Sequence, residues 1–203
     1  MKVIATYALS VAALIAGAVL PARALAAQQA EPPPGTYQAR EDHQQDRIAN
    51  GVQSGALTAG ETKSLEHQEA SLNGQAAADR AADGGKLTAA ERGQLNSEQN
   101  HLSNEIHTDK TNAATAHYGN NEVGQRRENQ QDRIAQGIRS GSLSPGEASH
   151  LEGKEQHINH EVSADRKANG GHLTSGEKSS INHQQNKASH AIYHDKHNGK
   201  RNP

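Results

Sequence analysis

Leu, Ile and Val are sparse in this chain but regularly placed. Leu65 and Leu72; Leu95, Leu102 and Ile106; Leu151, Ile158 and Val162; and Ile181, Ala188 and Ile192 recur at heptad-like intervals among polar residues. Such spacing draws a narrow apolar stripe along a helix, as in a helical hairpin. Ile48 with Val52, and Ile134 with Ile138, add i, i+4 pairs. Four Ser/Thr-x-x-Glu segments mark helix starts: Thr58 to Glu61, Thr88 to Glu91, Ser144 to Glu147 and Thr174 to Glu177. In each, the hydroxyl accepts from the third amide of the helix and the glutamate reaches back to the capping amide. Pro145 occupies a first helical position, where it forfeits no hydrogen bond. Gly55, Gly84, Gly141 and Gly170 stand where the preceding helices must stop. Leu57, Leu87, Leu143 and Leu173 lie just before the caps, placed to plug the turns. The pattern predicts helices over 38–54, 58–83, 88–112, 126–140, 144–169 and 174–197.

The helices come in two sets. Residues 40–112 align without a gap to residues 126–198, and 34 of 73 positions are identical, so the chain contains an internal duplication. The expected fold is all-α: two tandem three-helix units forming elongated helical hairpins with a thin core. The expected divisions are 1–26 signal peptide, 27–39 flexible lead-in, 40–112 first unit, 113–125 linker, 126–198 second unit and 199–203 tail.

Composition explains why the core is expected to be thin. Beyond residue 26 the chain holds 19 Val, Ile and Leu and no Phe, Trp or Met. That is well below the roughly 20% that separates ordinary globular chains from disordered ones. The first 26 residues read as an export signal: Lys2, an apolar run from Val3 to Leu20, a break at Pro21 and small residues at Ala24 and Ala26. Cleavage is expected after Ala26, leaving an exported chain, periplasmic or secreted, without a membrane span. Removing Lys2 and Arg23 leaves 19 basic against 23 acidic side chains, net −4. There is no Cys, so no disulfide can staple the fold. The first unit carries 7 basic and 12 acidic residues; the second carries 10 and 9, with 8 of the 13 His.

Three groups of residues could carry chemistry. His183, His190, His194 and His197 fall on one face of the last helix. His190 and His194, at i, i+4, have the spacing to chelate Zn²⁺, Cu²⁺ or Ni²⁺, and His197 could add a third nitrogen. The bland alternative is a solvated polar face, because the first unit has Ser97, Asn104, Thr108 and Thr111 at these positions. Asp79, Asp83 and Glu91 resemble the later half of an EF-hand loop and could attract Ca²⁺. However, the span has one residue too many, and a helix end followed by a capping box accounts for the same residues. Gln45, Asp46 and Arg47, repeated as Gln131, Asp132 and Arg133, form a twice-presented polar patch. They suit either a binding surface or arginines bracing a neighbouring helix through Glu61 or Glu66.

Catalytic patterns are lacking: no Cys, no Gly-x-Ser-x-Gly elbow, no phosphate loop and no dinucleotide fingerprint. Negative charge and few aromatics speak against nucleic acid. The phrase Gln-x-x-Arg-Ile-x-x-Gly-x-x-Ser-Gly-x-Leu-Thr-x-x-Glu, at 44–61 and in variant form at 130–147, resembles the repeat of a family of uncharacterised exported bacterial proteins. In that family the repeat ends near Ile-x-x-Asp-Lys-x-Asn, as at 106–112 and 192–198. The resemblance implies an architecture and an exported location, and no site. By composition the chain also resembles hydrophilins. The expected function is a non-catalytic binding or protective module that requires no cofactor. Its partner would be an unidentified protein, an envelope component or a second copy of the chain. The alternatives are divalent metal binding by the second unit and a hydrophilin-like protectant role.

Overall fold

The structure is a computed structural model that describes residues 36–200. The expected signal peptide, most of the lead-in and the last three residues lie outside that range. Six helices follow in order: α1 (Tyr37–Ser54), α2 (Ala59–Ala82), α3 (Ala89–Thr111), α4 (Glu122–Arg139), α5 (Pro145–Ala168) and α6 (Ser175–His197). The described residues contain no strand, and none of their helices is long and apolar enough to cross a membrane.

The capping signals fix the boundaries. All four boxes form, with the hydroxyls of Thr58, Thr88, Ser144 and Thr174 accepting from Glu61, Glu91, Glu147 and Glu177 N–H. Asn112 Nδ2 donates to Glu61 Oε1 at 2.7 Å, and Asn198 Nδ2 donates to Glu147 Oε1 at 2.8 Å. The asparagine ending each repeat therefore closes back on its first capping box. One boundary differs from expectation: α4 begins at Glu122 rather than at residue 126. Asn121 caps it by accepting from Gly124 N–H at 3.1 Å. The Gly-Asn-Asn composition reads as loop because Asn serves turns and caps alike.

The two repeats share a core. One buried cluster joins Ile48, Val52, Leu57, Leu65, Leu95, Leu102 and Ile106 of the first repeat to Ile134, Ile138, Leu143, Leu151 and Ile192 of the second. Helix α2 packs along α5, and α1 along α4. Ser149 Oγ donates to the Lys63 carbonyl at 3.0 Å, and Arg139 Nη2 to Asn50 Oδ1 at 2.7 Å. A smaller cluster of Val123, Ile158, Val162, Ile181 and Ala188 fills the other end of the second repeat. With few apolar residues in each repeat, part of each hairpin's stripe is buried against the other's in the shared cluster.

Candidate functional site

The buried faces are wider than the apolar stripe because they include polar residues. On α2 the inward positions include Thr62, Leu65, Glu66 and Glu69, at i, i+3, i+4 and i+7, followed by Leu72 and Ala76 on the same face. On α1, Glu41, Gln44 and Gln45 continue the face of Ile48, Ala49 and Val52. Amides clamp each hairpin together. Gln44 Nε2 donates to the Gln99 carbonyl at 2.8 Å, and Gln99 Nε2 to the Tyr37 carbonyl at 3.0 Å. Gln130 and Gln185 repeat the arrangement toward the carbonyls of Gln185 and Val123, at 2.8 and 2.9 Å.

Carboxyl groups form a seam between these clamps. Glu41, Glu66 and Glu69 are buried in the first repeat, and Glu152 and Glu155 in the second. Gln45 Nε2 reaches Glu66 Oε2 at 3.2 Å, and Gln131 Nε2 reaches Glu152 Oε2 at 2.9 Å. Asn73 Nδ2 donates to Glu41 Oε1 at 2.5 Å while its own Oδ1 accepts from the Tyr37 hydroxyl at 2.8 Å. Both Glu69 oxygens lack a hydrogen-bond partner. Burial disfavours the charged form of each acid. Glu66 is pushed up to about 8 by burial, partly offset by the Gln45 bond. Glu69 is pushed up to about 9 by burial and then by the charges of Glu41 and Glu66. Burial holds Glu152 well above the ordinary carboxyl range, with Glu155 and Glu66 adding to the shift. Glu155 rises only to about 7, because Arg127 opposes its burial. Arg127 occupies the position of Glu41 in the duplication and sits over the Tyr118 ring, 5.0 Å from its centroid. At neutral pH, then, Glu66 and Glu69 are held mainly as neutral carboxylic acids.

The residues singled out in the sequence are distributed differently from a shared surface site. Gln45 and Gln131 point inward to the seam. Asp46 stays exposed and Asp132 half-buried. Arg47 donates to Ser103 Oγ at 2.6 Å and to its carbonyl at 2.9 Å, while Arg133 donates to the Ser189 carbonyl at 3.1 Å. The arginines thus brace the third helix of each repeat through its backbone, not through Glu61 or Glu66. His183, His190, His194 and His197 are exposed along α6. His194 Nδ1 lies 3.0 Å from Asp195 Oδ1, and His197 Nδ1 lies 2.6 Å from the Tyr193 carbonyl. Asp83 ends α2, and Glu91 accepts from Thr88 N–H at 2.6 Å. Asp83 is shifted upward, first by its hydrogen bond to Glu91 and then by that residue's charge. The two carboxyls therefore face one another, as Asn169 and Glu177 do at 2.8 Å in the second repeat. Among the described residues, no group of three or more His, Asp or Glu is gathered as a metal ion requires.

A different feature opens to solvent. Lys63, Ser149, His150, Gly153, Lys154, His157, Ile158, Gln184, Lys187 and Ala188 surround a groove of about 610 Å³ where α5 and α6 meet the flank of α2. The volume is in the range of small-molecule sites, about 300–1,000 Å³. Ile158 and Ala188 of this groove belong to the apolar stripes, but the groove as a whole gave no sequence signal, because its members come from three helices and both repeats. Searches against protein-family models, curated proteins and solved structures returned no match to this chain.

Proposed function

We propose that this protein is a non-catalytic helical repeat module, exported through its N-terminal segment, that binds a ligand on the surface of its second repeat. The observation that carries the proposal is the separation of buried from open polar groups. The interior amides and carboxyls are occupied in clamping helices or neutralised by burial, whereas the groove presents basic side chains around an apolar floor. The carboxyl groups of the seam, Glu41, Glu66, Glu69, Glu152 and Glu155, are buried. The exported location rests on the signal-like segment ending at Ala26.

A thermal-shift panel on the chain from Ala27 to Pro203 tests the binding function. It should include amphiphiles, polar anions, divalent cations and peptides. A specific ligand raises the melting temperature by mass action, about 2.7 kcal/mol at a hundredfold excess over Kd. A panel without any stabilising ligand, or turnover of any offered ester, phosphate or glycoside, contradicts it. N-terminal sequencing of the exported protein should begin at Ala27.

A further inference from the structure

The duplication supplies an internal control for the groove. Its counterpart on the first repeat is formed by Gln68, Ser71, Leu72, Ser97, Glu98 and His101 and measures about 460 Å³. The floor of the larger groove is Ile158 and Ala188, at the positions of Leu72 and Leu102. Alanine in place of leucine deepens it. The rim changes sign as well. Lys154, His157 and Lys187 stand where the first repeat has Gln68, Ser71 and His101, and Gln184 stands where it has Glu98.

Lys63 adds a third ammonium from the other repeat. Its stem crosses α5 at Gly153, where a Cβ would lie 3.7 Å from Lys63 Cε. The matching position on α2 is His67, and the counterpart of Lys63 is Ser149, which is turned inward on the Lys63 carbonyl. Only one of the two grooves therefore receives a cation from across the repeat boundary. Among the described residues none of the three lysines makes an ion pair. Glu161, beside Gln184 and His157, accepts from Gln184 Nε2 at 2.5 Å and Ser180 Oγ at 3.2 Å, and lies 4.0 Å from His157 Nε2.

Resting on the binding role proposed above, we infer that this groove holds a single anionic amphiphile, a carboxylate or phosphate head on an unbranched apolar tail. The head sits among Lys63, Lys154 and Lys187, and the tail lies on Ile158 and Ala188. Ammonium groups on flexible stems suit a head of either geometry, since each acts as a point charge rather than a fork. Charge-assisted hydrogen bonds hold the head, and the tail fills the cleft above Ile158 and Ala188, themselves only 2% exposed, gaining dispersion contacts with the groove walls. A neutral amphiphile forgoes the first contribution and a polar anion the second.

The test is calorimetry on the chain from Ala27 to Pro203. Its ligands are decanoate and decyl phosphate as monomers, neutral decyl maltoside, acetate and anionic phospholipid vesicles. Decanoate and decyl phosphate should bind saturably at one site, with the maltoside and acetate weaker by at least about tenfold. Lys154→Gln with His157→Ser, which installs the first repeat's residues, should weaken decanoate by about tenfold. Ala188→Leu should remove binding with the circular dichroism unchanged. If Ala188→Leu unfolds the protein, the Lys154→Gln, His157→Ser pair on the groove rim decides. Equal affinity for the neutral amphiphile, indifference to the charge variants, or binding to vesicles without binding to monomers overturns the inference. If another ligand class stabilises the protein while both decyl anions fail, the groove assignment falls and the binding role stands.

Discussion

Leu57 lies directly against the bare backbone of Gly51. A Cβ on Gly51 would stand 2.6 Å from Leu57 Cδ1, and one on Gly137 would stand 2.5 Å from Leu143 Cδ1. Leu57 N–H also bonds the Gly51 carbonyl at 3.0 Å, as Leu143 bonds Gly137 at 3.1 Å. The glycine inside each first helix is thus required by the leucine that plugs the following turn. Gly51→Ala should cost about 1–3 kcal/mol by overpacking. Gly74, also helical, has nothing within 4 Å of a Cβ. Gly74→Ala should instead stabilise by about 0.5–1 kcal/mol. Urea denaturation of both variants checks the contrast.

The carboxyl seam makes folding proton-linked. Glu155, Glu66 and Glu69 have folded-state values of about 7, 8 and 9, against an ordinary 4.5. Their contribution is complete below the ordinary value and is lost as pH rises through the folded values. Glu147 acts in the opposite sense. Burial raises it, but bonds from Asn198 and Ser144 leave it below the ordinary value. Its contribution is present above the ordinary value and fades as pH falls through the folded one. Stability should be greatest near about pH 4.5, where the seam contribution is intact and that of Glu147 has not yet faded. The melting temperature should drop by more than about 10 °C between pH 6 and pH 9.5. Calorimetric scans across pH measure this directly.

Glu69→Gln mimics the neutral acid in shape and leaves nothing to ionise. At pH 5.5 the variant should match the parent within about 1 kcal/mol. At pH 9.5 it should be the more stable of the two. A variant that is less stable at both values contradicts a protonated Glu69.

Arg127 is the cation that the first repeat lacks. Replacing it by Gln removes the charge opposing the burial of Glu155, so the Glu155 value should rise above about 7. Carboxyl-carbon NMR titration of the parent and the variant reads the shift. No movement would mean that Arg127 is not felt by Glu155.

The repeats should not fold singly. Residues 36–112 alone leave Leu65 and Val52 without the second repeat's side of the core. Circular dichroism of this fragment at low micromolar concentration should show less than about half the helicity expected of its three helices. Full helicity in a monomer, checked by sedimentation, would show that each hairpin is self-sufficient.

Helix placement was legible in the sequence because caps and glycines are local signals. Thr58, Thr88, Ser144 and Thr174 all cap as their spacing implies. The pairing of repeats into one core was not, since heptad spacing says which side of a helix is apolar but not what covers it. The seam was visible only in part. Glu66 and Glu69 sit in register with Leu65 and Leu72 and recur as Glu152 and Glu155, a signal that a search for apolar positions passes over. Gln45 looked like surface because amides usually are, yet it fills the space beside Glu66. The groove depends on Lys63 crossing at Gly153, a contact between helices that no spacing within one helix encodes.

The most direct measurement of the central claim is an amide NMR titration of the chain from Ala27 to Pro203 with decanoate at pH 6. Binding in the second-repeat groove predicts shifts confined to residues around 146–158 and 184–188 and to Lys63, with the matching amides of 68–72 and 98–102 unmoved. Shifts of equal size in both repeats, or confined to the exposed histidines of α6, would contradict it.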